Sequence, residues 1–511
     1  MLNPDQRTPA TIIQLARHGD LVQTLPLIRA LARQYAIRLV CDSAVKEWTL
    51  LLSGIPEVAC LDTRRWRERC SDRLSGIGSL VDDLSSETAG MMSGGSGKSY
   101  PLNDFPVGNL LVGGLCVDHP ERWVTAPLVL VRSYIRLIGS LHHLNRIHLS
   151  DLWLALAAQS PCMEPSPVTI LETGTQFAHS VLDGFKRRKT DRVWAVILGS
   201  GAKCRRLEPE DFASWWMSIP VENRPGIVLL GGVGEADLAA RFLARSKGSS
   251  PGILNLVGAC SPPELLGLLR EMDLVIGVDT GPLHWAAVVG TKTLGIYFGE
   301  AGFHDTGPYG PGHLVLSPDC AEYPCHPARA QHCNWSCRKA YCITHNLSAL
   351  LSSLARGETP GEASVILLGR EGTAGDSIAS PGLQLSLSIL DGDGIRYKSL
   401  HGKPESHEVV FFSHLAKQVL GIKSQGGEEV MPVLSREQKR QLQNLTAAWL
   451  DRINQLSLGA VVPVEIQQEA RVAAVRQISR VMNKVFHSDG EDANPAPERC
   501  FVSPEPAGSG A

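Results

Sequence analysis

The chain opens with apolar runs that alternate with an amphipathic segment. Thr11–Ala16 is short and mainly apolar, apolar residues then recur every three or four positions from 21 to 31, and Ile37–Val40 is again largely apolar. Such an order predicts a strand, a helix and a second strand. Between 49 and 165 the pattern is mixed and mainly helical, and the polar stretch 85–100 predicts a mobile loop.

A second alternation begins near residue 191. Its predicted strands are Val193–Leu198, Ile227–Leu230, Leu254–Val257, Leu274–Val278 and Thr293–Phe298. Amphipathic helical segments separate these strands, and glycines follow several of their carboxyl ends. Apolar strands that alternate with helices form parallel sheets covered on both faces. The sequence therefore predicts an α/β fold with two Rossmann-like domains that face a cleft.

The last third of the chain has a different pattern. Leu383–Ile389 and Ile395–Ser399 flank an Asp-Gly-Asp-Gly turn and predict a β-hairpin. Ser435 and Gln438 form a capping-box pattern that opens one helix, and a second helix is predicted at 463–486. We expect these helices to pack on the rest of the chain or to mediate self-association. The predicted parts are an N-terminal domain (1–165), a C-terminal domain (166–355), an accessory α+β/helical extension (360–487) and a disordered tail (488–511).

Composition and charge exclude several classes of protein. Of the 511 residues, 43% are hydrophobic and 20% are charged, which excludes a disordered or collagenous chain. The 49 basic and 52 acidic residues give a net charge of −3, unlike the positive surface of a nucleic-acid-binding protein. The first residues do not resemble a signal peptide, and no apolar run is long enough to span a bilayer. We therefore expect a cytoplasmic protein without a nucleic-acid partner.

A glycine-rich segment at 93–99 partly resembles a phosphate-binding loop. Its sequence, Ser-Gly-Gly-Ser-Gly-Lys-Ser, ends like that motif. The motif also needs a glycine five residues before the Gly-Lys pair, a preceding strand and a following helix. Met92 takes the place of that glycine, and Pro101 interrupts the residues that follow. We therefore interpret the segment as a linker.

The segment 279–284, Asp-Thr-Gly-Pro-Leu-His, lies where a predicted parallel strand ends and a helix begins. Ligands of α/β sheets bind at this edge. The free amides and positive dipole of a first helical turn attract phosphate, and a proline suits that turn. Two interpretations stay open from the spacing alone. His284 binds a diphosphate or ribose, or it is a surface residue of a helix that Asp279 or Thr280 caps.

Three segments together carry a resemblance to a known family. They are Ile13–Pro26, which contains Arg-His-Gly-Asp, then Asp279–Ala287, and Thr306–Gly310. In this order they resemble glycosyltransferase family 9, the family of the lipopolysaccharide heptosyltransferases. The resemblance extends over about residues 1–350. It implies the GT-B architecture, and transfer of a heptose from an ADP-linked donor with inversion and without a catalytic metal or other cofactor.

The resemblance also implies roles for single residues. It places the catalytic general base on Asp20, where a carboxylate at a helix start can accept a proton from a sugar hydroxyl. Arg17 and His18 lie beside it as acceptor-binding residues. The implied donor-binding residues are Arg205, Arg206, Glu235, Asp279, Thr280, Gly281, Pro282, Leu283 and His284. Lys203 competes with Arg205 and Arg206 for the phosphate. Asp20 and Glu235 each have the alternative role of a first-turn acid that interacts only with the helix dipole.

Five of the 13 cysteines lie close together in the segment 320–342. They are Cys320, Cys325, Cys333, Cys337 and Cys342. Thiolates, together with nearby histidines, are ligands that suit zinc or iron. None of the spacings is Cys-x2-Cys, so a structural zinc or iron site and free thiols or a local disulfide both stay open.

The sequence thus predicts an inverting, ADP-heptose-type glycosyltransferase that acts on a lipopolysaccharide core or similar glycan, in peripheral contact with the inner membrane. Two alternatives stay open: a heptosyltransferase with a protein acceptor, and a non-catalytic homologue that binds a nucleotide sugar. A group of arginines either contacts an anionic acceptor or membrane surface or forms a solvated helix face. These arginines are Arg17, Arg64, Arg65, Arg67 and Arg69.

Overall fold

The structure of the protein is a computed structural model. It describes residues 7–71, 97–103, 121, 123–161, 167–186, 192–201, 205–248, 252–320, 323–325, 344–358, 360, 383–391, 394–400, 405–422, 435–456 and 462–487. The tail 488–511 and most of the polar stretch 85–100 lie outside the described residues.

The N-terminal domain is built on a parallel sheet. Its strands are β1 (Pro9–Gln14), β2 (Ala36–Asp42), β3 (Glu57–Leu61) and β4 (Lys98–Pro101). They lie side by side in the order β3-β2-β1-β4. Central strand β1 is buried from its second residue to its last, as expected of a parallel strand covered on both faces.

Strand β4 corrects two predictions. It pairs with β1 so that Lys98 lies opposite Ala10, and the mobile loop predicted at 85–100 is therefore wrong for its last residues. A Cβ atom on Gly97 would lie 2.4 Å from the carbonyl oxygen of Pro9, so glycine permits this approach of the two backbones. Lys98 opens a strand instead of a helix, which excludes a phosphate-binding loop here and corrects the interpretation as a linker for the last residues of the segment, whereas 93–96 lie outside the described residues.

The C-terminal domain has a larger mixed sheet. Its strands are β5 (Val193–Ile197), β6 (Gly226–Leu230), β7 (Ile253–Asn255), β8 (Leu274–Val278), β9 (Thr293–Ile296), β10 (Leu314–Pro318), β11 (Leu383–Asp391) and β12 (Gly394–Ser399). The order is β12-β11-β10-β9-β8-β5-β6-β7. Strands β5 to β10 are parallel, and the predicted hairpin is confirmed as β11 and β12, which extend the sheet in antiparallel fashion from β10.

Helices cover these sheets. They are α1 (His18–Ala32), α2 (Lys46–Thr49), α3 (Thr63–Ser71), α4 (Ala126–Ile138), α5 (Leu149–Leu156), α6 (Glu172–Lys186), α7 (Pro209–Ser218), α8 (Ala236–Arg245), α9 (Pro262–Glu271), α10 (Gly281–Val288), α11 (Phe303–Thr306), α12 (Thr344–Ala355), α13 (His407–Leu420), α14 (Arg436–Gln455) and α15 (Val464–His487). In the part of the chain that the structure describes, no helix combines the length and apolar character needed to cross a bilayer. The predicted α/β fold with two parallel-sheet domains is confirmed.

Helices α13, α14 and α15 of the accessory extension pack on α4 of the N-terminal domain. The capping box predicted at the start of α14 is confirmed, because Ser435 and Gln438 bond reciprocally to each other's backbone amides. Trp449 is buried, and its Nε1 donates a hydrogen bond of 2.9 Å to Oγ of Ser133 in α4. The buried side of α14 thus packs against α4 of the same chain. Self-association and the predicted domain limits stay predictions.

One buried carboxylate ties the hairpin and both domains together. Asp151 of α5 accepts hydrogen bonds from the hydroxyl of Tyr309, at 2.7 Å, and from the amide of Ile395, at 3.0 Å. The backbone of Gly394 approaches the same carboxylate at φ +99°, in the left-handed region that favours glycine. A Cβ atom there would lie 2.3 Å from Oδ2 of Asp151.

We expect Gly394→Ala to lower the free energy of unfolding by about 2–4 kcal/mol, because it adds an overlap with Asp151 to the cost of a left-handed alanine. The matched control is Gly54→Ala. Gly54 has φ +75° but open space where its Cβ would lie, so about 1 kcal/mol is expected. Urea unfolding of both variants measures the difference. Equal losses of unfolding free energy in the two variants would show that the backbone at Gly394 is not in close contact with Asp151.

Candidate active site

Two helices from different domains meet at their amino ends. Helix α1 follows β1 and begins at His18, and α10 follows β8 and begins at Gly281. A Cβ atom on Gly19 would lie 3.4 Å from Cα of Gly281. A Cβ atom on Gly281 would lie 2.0 Å from Cε1 of His18. Gly281 therefore allows an approach to His18 that a side chain would prevent, and the first turn of α1 lies against the start of α10.

Asp20 lies in that first turn of α1, within electrostatic reach of residues from both domains. Burial raises the pKa of its carboxyl group, and the charge of Asp279 adds to this effect. The backbone amide of Arg17 and the side chains of His284 and Arg17 oppose the rise. The net result is a pKa above the ordinary value, which makes Asp20 a stronger base than an exposed aspartate. A pKa shift of this origin is common at catalytic acids and bases.

Asp279 is the centre of a second, buried polar cluster at the end of β8. Its carboxylate accepts hydrogen bonds from Nη1 of Arg205 and, at 3.2 Å, from Oγ1 of Thr306. Nε2 of His284 lies 3.6 Å from the same group. Burial alone would raise the pKa of Asp279, but His284 and Arg205 outweigh it and lower the pKa below its ordinary value. Asp279 is therefore a charged group that holds Arg205 and His284 in place.

Of the two open interpretations of the segment 279–284, the one of a simple helix cap with a surface His284 is wrong. Thr280 occupies the N-cap position of α10, but its side chain makes no cap hydrogen bond. His284 is only 5% exposed, so it is not a surface residue. Leu283 is fully buried and its amide bonds to the carbonyl of Thr280, which makes it part of the core beneath the site.

Several buried nitrogen atoms of the site have no hydrogen-bond partner among the described residues. They are Nδ1 of His284, Nδ1 of His18 and Nε of Arg205. A buried polar atom left unpaired costs about 1–3 kcal/mol, so such atoms are uncommon unless a ligand or water meets them. Burial lowers the pKa of His18 to about 4, with His284 and Arg17 adding to the effect, so its imidazole is neutral near pH 7. Three unpaired donors or acceptors at one place favour a polar ligand.

An aromatic stack that sequence reasoning missed joins the two domains. The ring of Trp48 stacks on His18 with centroids 5.0 Å apart, and on Trp285 at 4.7 Å. Trp285 lies in α10 and is fully buried, whereas Trp48 belongs to α2 of the N-terminal domain. The position of Trp285 directly after His284 was the one available signal. The stack fixes the ring of His18 over Gly281.

Several arginine side chains meet at the glycine-containing turn after β5. Nε and Nη2 of Arg206 donate to the carbonyl of Ser200 at 2.9 and 2.7 Å, and Arg205 reaches Asp279 from the same turn. A Cβ atom on Gly201 would lie 2.5 Å from Nη1 of Arg17, so this arginine crosses from the N-terminal domain. Lys203, the competing candidate, lies outside the described residues.

Glu235 folds back onto the turns that follow β5 and β6. Its Oε2 accepts a hydrogen bond of 2.8 Å from the amide of Gly232. A Cβ atom on Gly199 would lie 1.4 Å from Oε1, and one on Gly231 would lie 2.4 Å from Oε2. The carboxylate is thus held at the carboxyl edge of the sheet, on the same edge as Asp279.

The segment 306–310 lies at the interface between the two domains. The carbonyl of Thr306 accepts from Gln23 at 3.5 Å, and the carbonyl of Gly307 accepts from Nε2 of His148 at 3.0 Å. Nearby, Nδ1 of His142 lies 2.9 Å from a carboxylate oxygen of Asp305. Because Thr306 also bonds to Asp279, this interface segment couples the relative position of the two domains to the geometry of the site.

The other predicted residues lie elsewhere in the structure or outside the described residues. Cys320 is half-buried and Cys325 is buried, whereas Cys333, Cys337 and Cys342 lie outside the described residues. Within the described ranges there is no group of three or more histidine, cysteine or acidic side chains that could hold a metal. The side chain of Arg64 is 89% exposed and lies 3.3 Å from Glu68. The side chains of Arg67 and Arg69 are outside the described part.

Two parallel-sheet domains that meet at the carboxyl edges of their strands, with an acid of one domain opposite a helix start of the other, define the GT-B class of glycosyltransferase architecture. The sequence model of glycosyltransferase family 9 (heptosyltransferase) matches residues 219–336. This match contains Glu235 and the segments 279–284 and 306–310. It confirms the resemblance to that family, whose members are glycosyltransferases.

The chain is also similar to individual proteins. Lipopolysaccharide heptosyltransferase 3 of Escherichia coli is 22% identical over 302 residues, covering 55% of this chain and 80% of that protein. A glycosyl transferase family 9 structure from Veillonella parvula is 16% identical, with a TM-score of 0.45, over 59% of this chain and 83% of its own. The structure of E. coli ADP-heptose lps heptosyltransferase II is 14% identical, with a TM-score of 0.42, over 66% and 99%.

Proposed function

We propose that the protein is an inverting glycosyltransferase that transfers a heptose from ADP-heptose to a lipopolysaccharide core or a similar glycan, at the inner face of the membrane. The observation that carries the proposal is the contact of Gly19 with Gly281, which brings the first turn of α1, with Asp20, to the start of α10, within electrostatic reach of His284 and Asp279. The resemblance to family 9 supplies the ADP-linked donor, and the relative from E. coli supports the acceptor class.

In this mechanism Asp20 is the general base. The acceptor hydroxyl attacks the anomeric carbon from the face opposite the diphosphate, its proton passes to Asp20, and the bond from that carbon to the phosphate oxygen breaks. The configuration inverts, and ADP leaves with the electron pair of the broken bond. The raised pKa of Asp20 makes its carboxylate a stronger base for the hydroxyl proton.

The leaving diphosphate gains negative charge as the bond breaks, and it needs cations or amides placed in advance. We assign this task to the start of α10, with its positive dipole end, and to Arg205, which Asp279 holds in place. Arg17 reaches the same glycine turn from the other domain, so it contributes to the diphosphate site instead of to the acceptor alone. His284 and Glu235 contact the donor's phosphate, ribose or sugar hydroxyls.

The test follows release of the nucleoside diphosphate. Purified protein would be incubated with ADP-heptose, UDP-glucose or GDP-mannose, each with and without a lipopolysaccharide core that lacks its outer heptose. We expect release of ADP from ADP-heptose that depends on the core glycan. Transfer of labelled sugar to protein but not to glycan would replace the acceptor in the proposal. Binding of ADP-heptose without turnover for any acceptor would favour a non-catalytic homologue.

The pH dependence of kcat/KM reports the base in the free enzyme. Because Asp20 must be ionised and its folded pKa is raised, activity falls as the pH falls through that raised value. Arg17 opposes the rise, so Arg17→Gln is expected to move the acidic limb of the profile to higher pH. Arg64→Gln, at an exposed arginine of α3, should leave the limb in place. A limb that stays fixed or moves to lower pH in Arg17→Gln would mean that Asp20 is not the titrating base.

A further inference from the structure

The segment 307–313 joins helix α11 to strand β10 and forms neither a helix nor a strand. Gly307, Pro308 and Gly310 are nevertheless buried, and so are the hydrogen bonds to their carbonyl oxygens. A buried carbonyl without a partner destabilises the conformation that buries it. Side chains from other parts of the chain therefore have to hold this segment in its path.

The hairpin β11–β12 supplies two of these side chains. The hydroxyl of Tyr397 on β12 donates to the carbonyl of Pro308 at 3.0 Å, and Oγ of Ser388 on β11 donates to the carbonyl of Gly310 at 2.7 Å. Oγ of Ser388 also accepts from the amide of His313 at 2.8 Å. Ser388 and Tyr397 pair across the two strands, so both side chains point to the same face of the sheet. Two neighbouring hydroxyl groups thus fix the segment at Pro308, Gly310 and His313.

Tyr397 fits closely between the segment and helix α11. Its ring is only 9% exposed and meets Phe303 edge to face, with centroids 5.2 Å apart. A Cβ atom on Gly307 would overlap the phenol oxygen, so glycine at this position lets the hydroxyl reach the carbonyl of Pro308. Because the ring has its own packing, Tyr397→Phe removes the hydrogen bond and keeps the aromatic contact.

The segment continues directly from a residue of the candidate active site. Oγ1 of Thr306 donates to Oδ1 of Asp279 at 3.2 Å, whereas Arg205 donates to Oδ2 of the same carboxylate. Hydrogen bonds to both oxygens fix the orientation of the carboxylate. Since Thr306 precedes Gly307, the path of the buried segment sets the position of its hydroxyl, and through Asp279 the position of Arg205.

The two hydroxyl groups come from outside the part of the chain that matches the family model. That match ends at residue 336, whereas β11 begins at Leu383. Gln23 and His148 of the N-terminal domain hold the carbonyls of Thr306 and Gly307, and the hairpin holds the carbonyls that follow. The accessory extension therefore supports a segment of the candidate active site as well as packing on the fold.

We propose that Tyr397 and Ser388 are positioning residues of the donor site. By holding the segment 307–310, they keep Thr306 on Asp279, and Asp279 in turn keeps Arg205 in place for the diphosphate. The inference rests on the proposed function, because it takes the diphosphate to bind at Arg205. It requires that loss of the two hydroxyl groups weakens nucleotide binding, although neither residue contacts the nucleotide.

The variant Tyr397→Phe/Ser388→Ala tests this role in the full chain, since both substitutions remove a hydroxyl group and neither adds bulk. We expect its affinity for ADP, measured by titration calorimetry, to fall about three- to tenfold. In the protein without nucleotide, amide hydrogen exchange in peptides that cover 303–313 should become faster, because two restraints on the segment are lost.

Tyr35→Phe/Ser246→Ala is the matched control. Tyr35 follows the last residue of α1 and Ser246 the last residue of α8, whereas the site lies at the amino end of α1. Oγ of Ser246 is buried and donates to the carbonyl of Phe242 at 2.8 Å, so the control also removes a serine hydroxyl that holds a carbonyl. Its affinity for ADP should equal that of the wild type.

A double-mutant cycle with Thr306→Val tests whether the two hydroxyl groups act through Asp279. Thr306→Val removes the hydroxyl that donates to Asp279, and alone it should weaken ADP binding about three- to tenfold. When Tyr397→Phe/Ser388→Ala is added to Thr306→Val, we expect a further loss of less than about twofold, since the bond that they position is already absent. A purely structural effect of the hairpin would instead multiply the two losses.

Four results would overturn the inference while wild-type protein binds ADP. They are unchanged ADP affinity in Tyr397→Phe/Ser388→Ala, an equal loss in Tyr35→Phe/Ser246→Ala, multiplied losses in the cycle, and unchanged hydrogen exchange across 303–313. Wild-type protein that does not bind ADP would contradict the proposed function itself, and this inference with it. The two kinds of failure are therefore distinguished by the wild-type titration.

Discussion

Asp20→Asn should reduce the rate of sugar transfer by about 10²- to 10⁴-fold, the range expected when a general base is removed. The amide keeps the size of the carboxylate but cannot accept the proton of the acceptor hydroxyl. Because the substitution removes no group assigned to the diphosphate, the affinity for ADP should change little. Release of ADP from ADP-heptose gives the rate, and titration calorimetry gives the affinity.

Glu47→Gln is the matched control for this substitution. Glu47 is an exposed acid of α2, next to Trp48 in the same domain, and its loss should leave the rate unchanged. A rate for Asp20→Asn within a few-fold of the wild-type rate would remove the base from the mechanism. Loss of ADP binding along with the rate would show instead that Asp20 holds the structure of the donor site.

Gly281→Ala is expected to lower kcat/KM by roughly 10- to 100-fold and to destabilise the fold by about 1–3 kcal/mol. The added methyl group would overlap the ring of His18, which the stack on Trp48 holds in place. The two helix starts would therefore be forced apart, and Asp20 would move away from the diphosphate. Steady-state kinetics and urea unfolding measure the two effects.

Gly184→Ala controls for the introduction of alanine into a helix. Gly184 lies in α6, and nothing lies within 4 Å of the position that its Cβ would take. Kinetics and stability of this variant should match the wild type or improve slightly, since alanine favours a helix more than glycine. Full activity in Gly281→Ala would mean that catalysis does not need the close contact of α1 and α10.

Much of the fold could be predicted from local pattern. The runs Ile227–Leu230 and Leu274–Val278 of the C-terminal domain are short and apolar, and they became strands within one residue of the predicted limits, whereas the strands predicted at 254–257 and 293–298 end two residues earlier than predicted. Turn and capping signals were equally local, so the hairpin and the start of α14 at Ser435 were also predicted. Strand β4 was missed because its four residues follow a glycine and serine tract, and only pairing with β1 makes them a strand.

The candidate site could be predicted only in its single segments. The motif around Asp20 and the motif around Asp279 are each visible in the sequence, but nothing in the sequence shows that Gly19 touches Gly281. The crossing of Arg17 to the turn at Gly201 depends in the same way on how the domains meet. Contacts between distant segments leave no periodic signal, so they had to come from the structure.

A crystal structure of the protein with bound ADP would show whether the proposed donor site is right. We expect the β-phosphate to lie against the amino end of α10, within hydrogen-bonding distance of the guanidinium group of Arg205. We also expect the Asp20 carboxylate to face the space beyond that phosphate, where the sugar would sit. ADP bound away from α10, or Asp20 turned from the phosphate with another acid in its place, would contradict the account.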